Sequence, residues 1–130
     1  MYTLGVAGAV AFTPSVSASA EMLVYVTTNS TGTDIFFDVD SIRIQGTKVT
    51  AWETREHKND KTVTYRTSKA RYSYYCDSDE AAWLVVVRYD KSGKVVETVE
   101  LKEYETEKTT IVPGSIREAM QKIACAAVNK

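Results

Sequence analysis

The chain has 130 residues, the size of a single domain, and 44% of them are hydrophobic, which is enough for a packed core. The formal net charge is only −1, whereas proteins dedicated to binding nucleic acids carry a strong basic excess. Length and charge therefore favour one globular domain and argue against a nucleic-acid partner.

The first twenty residues differ from the rest because they carry no charged side chain. Leu4–Phe12 is a short apolar run, and Ala18-Ser19-Ala20 has the small-x-small pattern of a signal-peptide cleavage site. We expect residues 1–20 to be a signal peptide and residues 21–130 to be the mature domain. The alternative is an apolar first strand or helix of the domain. The run is too short for a transmembrane span, and no cysteine near the cleavage site indicates a lipid anchor.

The mature part is predicted to consist mainly of β-strands, because β-branched and aromatic residues are enriched between turn signals. The segment 81–89 is apolar at both odd and even positions, which predicts a central strand covered on both faces. Asp90-Lys91-Ser92-Gly93 predicts a hairpin turn. The predicted strands are 22–28, 33–39, 41–44, 48–57, 61–76, 81–89 and 95–104.

The last segment changes from the period of a strand to that of a helix. Apolar residues recur every three or four positions between Ile116 and Ile123, and Ser115 with Glu118 predicts a capping box. The helix is amphipathic and must bury its apolar face, for which the sheet is the available partner. The predicted fold class is therefore α+β, with an antiparallel sheet of about six strands and one C-terminal helix packed on it.

The two cysteines, Cys76 and Cys125, favour a disulfide between sheet and helix if the chain is exported, with two buried free thiols as the alternative. Cys76 shares the parity of Tyr74 and is expected on the core side of its strand. On a regular helix Cys125 falls opposite Ile116. We therefore expect either that the helix loosens near its end or that the bridge approaches from its flank, with no regular helix beyond Ala126.

Few residues have the pattern of a catalytic or metal site. His57 is the one histidine, no serine lies in a nucleophile elbow, and the imidazole is expected to be exposed at a strand end. Asp38, Asp40 and Ser41 offer oxygen ligands for a metal, but a turn closed by Asp40 and Ser41 is the simpler interpretation. We predict no enzyme activity, no cofactor and no metal site.

Charged side chains are segregated along the chain. Residues 43–71 carry eight Lys or Arg against three Asp or Glu, whereas residues 77–107 carry four against nine. A basic hairpin, 48–76, can attract acidic partners such as glycosaminoglycans or acidic protein patches. Alternatively, the charges only protect a sheet edge from pairing with other strands. The candidate ligand-binding residues of this basic hairpin are Arg55, Lys58, Lys61, Arg66, Lys69 and Arg71. Tyrosines on these strands are expected mainly in the core, with Tyr75 as a candidate exposed anchor.

Several short motifs follow one another in order. They are Val24–Val26, Phe37–Ile42, Val49–Trp52, Tyr74–Cys76, Tyr89–Gly93 and Ile111–Ile116, followed by Cys125. Together they resemble the surface-adhesin protein E family of Gram-negative bacteria. The resemblance implies an antiparallel sheet with a C-terminal helix, a disulfide at Cys76 and Cys125, and a surface or periplasmic location. It also implies a host-matrix adhesin with vitronectin and laminin as partners.

We therefore expect an exported binding module similar to these adhesins, which binds host extracellular-matrix proteins or acidic ligands. The alternative is a periplasmic structural or accessory domain of an envelope complex. The sequence leaves the oligomeric state open.

Overall fold

The computed structural model describes residues 21–128, and the predicted signal peptide lies outside them. Within this range one antiparallel sheet carries a single α-helix. The strands are β1 (Leu23–Thr28), β2 (Asp34–Asp38), β3 (Arg43–Gln45), β4 (Lys48–Glu56), β5 (Thr67–Tyr75), β6 (Glu80–Tyr89), β7 (Val95–Glu100) and β8 (Thr109–Thr110). The helix α1 spans Ile116–Ala126, and short 3-10 turns occupy Val39–Ser41 and Glu103–Glu105. Among residues 21–128 no helix has the length and apolar character that a membrane crossing requires.

The strand order is β1-β2-β4-β5-β6-β7, with β3 beside β4 and β8 beside β6. Chain neighbours pair directly from β4 to β7. A loop of residues 57–66 joins β4 to β5, and short turns join β5 to β6 and β6 to β7, because antiparallel neighbours need no crossover connection. Gly93 supplies the positive φ, 85°, of the turn between β6 and β7, as predicted. The α+β class is confirmed. The sheet has eight strands rather than about six because two short segments, β3 and β8, add to it.

The helix packs on one face of the sheet, which we call the helix face. Its N-terminus has the predicted capping box, in which Ser115 Oγ accepts from the Glu118 N–H at 3.2 Å. The Glu118 carboxylate in turn accepts from the Gly114 N–H at 2.9 Å. The core between helix and sheet consists of Ile35, Phe37, Val49, Ala51, Tyr74, Ala81, Ile111, Met120 and Ala124. The opposite face, which the helix does not cover, is the open face.

Strand β6 is less covered than its sequence suggested. Only Ala81 and Ala82, at its beginning, are buried, and the remaining residues are half-buried. The prediction that both faces of this strand are covered is therefore wrong. The reason is that α1 packs against β1, β4 and β5, so the apolar run of β6 relies on side chains of neighbouring strands for its burial.

A turn, rather than a run of metal ligands, follows β2. The Asp38 carboxylate accepts from the Asp40 N–H at 3.2 Å, and Ser41 Oγ donates to the Asp38 carbonyl at 2.6 Å. The Trp52 N–H donates to Ser41 Oγ at 2.8 Å and ties the turn to β4. The interpretation as a turn is confirmed, although the carboxylate that closes it belongs to Asp38 instead of Asp40.

A disulfide joins Cys76, directly after β5, to Cys125 in the last turn of α1, with 5.7 Å between the two Cα atoms. Both cysteines pack against the core cluster. The helix ends at Ala126, so the predicted end of the regular helix and the predicted bridge are both confirmed.

Removing this disulfide is expected to lower the free energy of unfolding by about 4 kcal/mol, because it closes a loop between cysteines 49 positions apart in the unfolded chain. Urea denaturation with and without reductant measures the loss. The Cys76→Ser/Cys125→Ser variant serves as the control, since reductant should not change its midpoint. An unchanged midpoint of the wild-type protein after reduction would contradict this expectation.

Candidate ligand-binding site

Strands β4 and β5 form the long arms of the basic hairpin, and residues 57–66 form its tip loop. The arms pair over nine residues, from Lys48 opposite Tyr75 to Glu56 opposite Thr67. The His57 N–H continues the ladder by donating to the Arg66 carbonyl at 2.7 Å. Pairing therefore extends into the base of the tip loop and fixes how the loop leaves the sheet.

His57 lies at the base of the tip loop and is only 8% exposed, so the prediction of an exposed imidazole is wrong. Its Nδ1 and Nε2 lie 2.8 Å from Thr33 Oγ1 and Ser68 Oγ, respectively. The Thr33 hydroxyl already donates to Asp60 at 2.6 Å, so His57 Nδ1–H donates to Thr33 and Nε2 accepts from Ser68. The Tyr65 ring packs edge-on at 4.8 Å. This neutral histidine joins two strands and the loop in a buried polar network.

Asp60 connects the tip loop to the turn between β1 and β2. The hydroxyls of Thr31 and Thr33 each donate to its carboxylate at 2.6 Å, and the Thr62 N–H donates at 2.9 Å. These hydrogen bonds, with that of the Thr62 hydroxyl, hold the pKa of Asp60 far below its usual value. Gly32 permits the close approach, because a Cβ there would lie 2.8 Å from a backbone oxygen of the tip loop. The tip loop is thus anchored to β5 through His57 and to the turn between β1 and β2 through Asp60.

The six predicted basic residues do not form one surface. Lys58 and Lys61 are exposed in the tip loop, and Arg66 is half-buried at its end. Arg55 lies on the helix face. Lys69 and Arg71 pair with Thr54 and Trp52, which alternate with Arg55 along β4, so both lie on the open face. The structure therefore divides the six residues among the tip loop, the helix face and the open face.

Arg55 is part of a buried ion cluster beneath the helix. Its Nε lies 2.7 Å from Glu53, a carboxylate on β4 that is only 2% exposed. Arg117 of α1 reaches the other Glu53 oxygen at 2.5 Å and donates to Tyr74 Oη at 2.9 Å. Its guanidinium also lies 3.5 Å from the centre of the Tyr72 ring. Burial raises the pKa of Tyr74. Arg55 therefore neutralises a buried carboxylate together with Arg117.

On the open face, Lys69 and Arg71 have different surroundings. Lys69 Nζ lies 2.6 Å from the Glu21 carboxylate and 5.9 Å from the centre of the Tyr89 ring. Arg71 makes one long contact, 3.5 Å, to Thr50 Oγ1. It lines a concave groove of about 730 Å³ that we call the open-face groove.

The open-face groove contains cations that the sequence analysis did not single out as ligands. Arg43, Lys48 and Lys108 line it together with Arg71. Strand parity could have placed Lys48 and Arg71 on one face. Lys108 follows the acidic half of the chain, and its position depends on the path of the segment between β7 and β8, which no local pattern encodes.

A family model described as surface-adhesin protein E matches residues 23–126, which include all eight described strands and the helix. A crystal structure of protein E from non-typeable Haemophilus influenzae is similar at 12% sequence identity, with a TM-score of 0.49. The similarity covers 81% of this chain and 88% of that chain. No curated protein matches the chain.

The buried histidine predicts a pH dependence of stability. Burial lowers the pKa of His57, so the unfolded state takes up a proton at higher pH than the folded state does. The free energy of unfolding is expected to fall as the pH decreases through the ordinary histidine pKa of 6.5. This loss should be absent in His57→Gln. Both proteins should lose stability again below pH 3.8, where Asp60 takes up a proton in the unfolded state. Urea denaturation across the pH range measures both losses. If the free energies of unfolding of the wild type and of His57→Gln change in parallel near pH 6.5, His57 is not the cause of the first loss.

The buried ion cluster predicts a large effect of one helix residue. Arg117→Met is expected to lower the free energy of unfolding by about 3 kcal/mol, because it leaves the buried Glu53 carboxylate with one cation instead of two. Lys122→Met on the same helix is the matched control. Its side chain is 76% exposed and lies 4.0 Å from Glu118, so the change should be below about 0.5 kcal/mol. Equal losses in the two variants would contradict the importance of burial.

Proposed function

This chain belongs to the surface-adhesin protein E family, and we propose that it is an exported binding module whose basic hairpin contacts host extracellular-matrix proteins or acidic ligands. The observation that carries the proposal is the family match over residues 23–126. The description of that family, surface-adhesin protein E, supports a binding function rather than an enzymatic one. Vitronectin and laminin, which the family resemblance implies, are the first matrix proteins to test, and glycosaminoglycans are the first acidic ligands.

The build of the hairpin supports this proposal. Lys58 and Lys61 are exposed on a loop that the His57 and Asp60 hydrogen bonds fix to the sheet. Cations on an anchored loop lose less conformational entropy on binding than cations on a free loop, so more of the electrostatic attraction contributes to affinity. Arg66 is half-buried at the end of the loop. Arg55 has a structural role instead, because its guanidinium pairs with the buried Glu53 carboxylate.

The buried Ser68–His57 contact does not change this view of the function. Ser68 Oγ lies 2.8 Å from the imidazole, but both residues are buried, and each ring nitrogen already has a hydrogen-bond partner. Thr33 lies between the histidine and Asp60, so the carboxylate does not orient the ring directly. The network therefore serves to anchor the tip loop.

Charge reversal at the tip tests the proposal. Lys58→Glu/Lys61→Glu is expected to weaken binding of the mature, oxidised protein to vitronectin, laminin or heparin by about tenfold or more, and raising the salt concentration should weaken wild-type binding. Lys91→Glu/Lys94→Glu is the matched control, since it makes the same charge change at the exposed turn between β6 and β7. Surface plasmon resonance at two salt concentrations gives the affinities.

Two results would contradict the proposal. One is the absence of binding to any of the three ligands at micromolar protein, and the other is an equal loss in the tip and control variants. Export is tested separately by antibody labelling of intact and permeabilised cells. Labelling only after permeabilisation would favour the periplasmic accessory domain over a surface adhesin.

A further inference from the structure

We propose that the open-face groove binds an oligosaccharide that carries several anionic groups. The inference rests on the proposed function, binding of acidic ligands, and names a ligand class and a place for it outside the tip loop. The groove is lined by β3, β4 and β5, by Leu84 and Val85 of β6, and by the end of β7 with the segment that follows it. Its volume of about 730 Å³ lies in the range of about 300–1,000 Å³ that is typical of small-ligand sites.

The charges around the groove favour an anion. Four cations, Arg43, Lys48, Arg71 and Lys108, line it, against one carboxylate, Glu100. None of the four forms an ion pair with a carboxylate whose side chain the structure describes. A chain with a net charge of −1 thus concentrates cations at a concave surface, where the field is strongest.

The spacing of the cations favours a ligand with several charges. Lys48 lies opposite Tyr75 in the β4–β5 ladder, and Arg71 lies opposite Trp52, four residues farther along β4. At about 3.3 Å per residue, the backbone positions of the two residues are separated by about 13 Å along the strand direction. Arg43 projects between them from β3, opposite Thr50. An oligosaccharide with anionic substituents on successive sugars can span this backbone separation, whereas a single small anion would require the side chains of Lys48 and Arg71 to converge on it.

The neutral part of the lining suits a sugar. Gln45, Thr50 and Thr106 offer amide and hydroxyl groups that can hydrogen-bond with sugar hydroxyls. Tyr75 adds an aromatic ring, and Lys108 Nζ lies 4.2 Å from its centre, which keeps this exposed lysine over the groove. Arg43 donates to two backbone carbonyls, at 2.8 and 3.1 Å, which holds its guanidinium in place on the rim.

Binding of sucrose octasulfate and of oligogalacturonate to the mature, oxidised protein tests the inference by isothermal titration calorimetry. The groove variant is Lys48→Gln/Lys108→Gln, which shares no residue with the predicted tip cations. The control is Lys91→Gln/Lys94→Gln, with the same change in charge on the turn between β6 and β7. We expect saturable binding of at least one sugar, weakened about tenfold or more in the groove variant and less than twofold in the control.

Preference for the sulfated or the carboxylated sugar separates the two sources of such a ligand, sulfated glycosaminoglycans and uronic-acid polysaccharides. Equal losses in the groove and control variants, or no saturable binding of either sugar, would overturn the inference. So would full competition by inorganic phosphate at the sugar's own concentration, since a single anion would then suffice. If Lys48→Gln impairs folding, Lys108→Gln alone replaces it, because Lys108 is exposed.

The matrix-protein assay with the tip variant is read independently. If the protein binds neither vitronectin nor laminin but still binds a sugar through the groove, the matrix proteins are rejected as ligands and the groove proposal is retained. Matrix binding that depends on the tip, without any sugar binding, would overturn the groove alone.

Discussion

The nine-residue antiparallel register between β4 and β5 is the constraint on which the rest of the structure depends. Side chains alternate between faces along both strands, so this register decides which cation reaches which surface. It places Arg55 with Glu53 beneath the helix and Arg71 in the open-face groove. A slip of one residue would exchange the faces and would leave the Glu53 carboxylate in solvent while burying unpaired cations. The buried ion cluster and the apolar core therefore enforce the same register.

The two ends of the hairpin are fixed by different chemistry. At the end near Cys76, the disulfide and the apolar core hold the helix against the sheet. At the tip, where no helix covers the strands, hydrogen bonds around His57 and Asp60 take over. Polar anchoring suits this end because the loop has to remain at the surface, and hydroxyl donors satisfy buried groups without requiring an apolar cover. Because His57 and Asp60 both have lowered pKa values, this anchoring also makes the stability of the tip sensitive to acid.

Local patterns predicted most of the fold. Helical spacing after Ser115 gave the helix and its cap, strand parity placed Cys76 on the core side, and the apolar faces gave the antiparallel sheet. Features that depend on distant neighbours were beyond such patterns. His57 looked exposed because its partners are distant in the chain: Thr33 comes from the turn before β2 and Ser68 from β5. The groove was missed for the same reason, since its cations come from four separate segments of the chain.

The disulfide encloses one part of the chain in a covalent loop and leaves the other part outside it. Residues 77–124 lie inside the loop that the bond closes, so a protease that cuts there leaves both pieces covalently joined. The tip loop lies outside this loop, and its exposed lysines offer cleavage points to trypsin-like enzymes. After a cut at the tip, only strand pairing and side-chain contacts would hold β1–β4 to the remainder. For a protein exposed to host proteases, the surface proposed to bind matrix proteins would thus be the one that its crosslink does not secure.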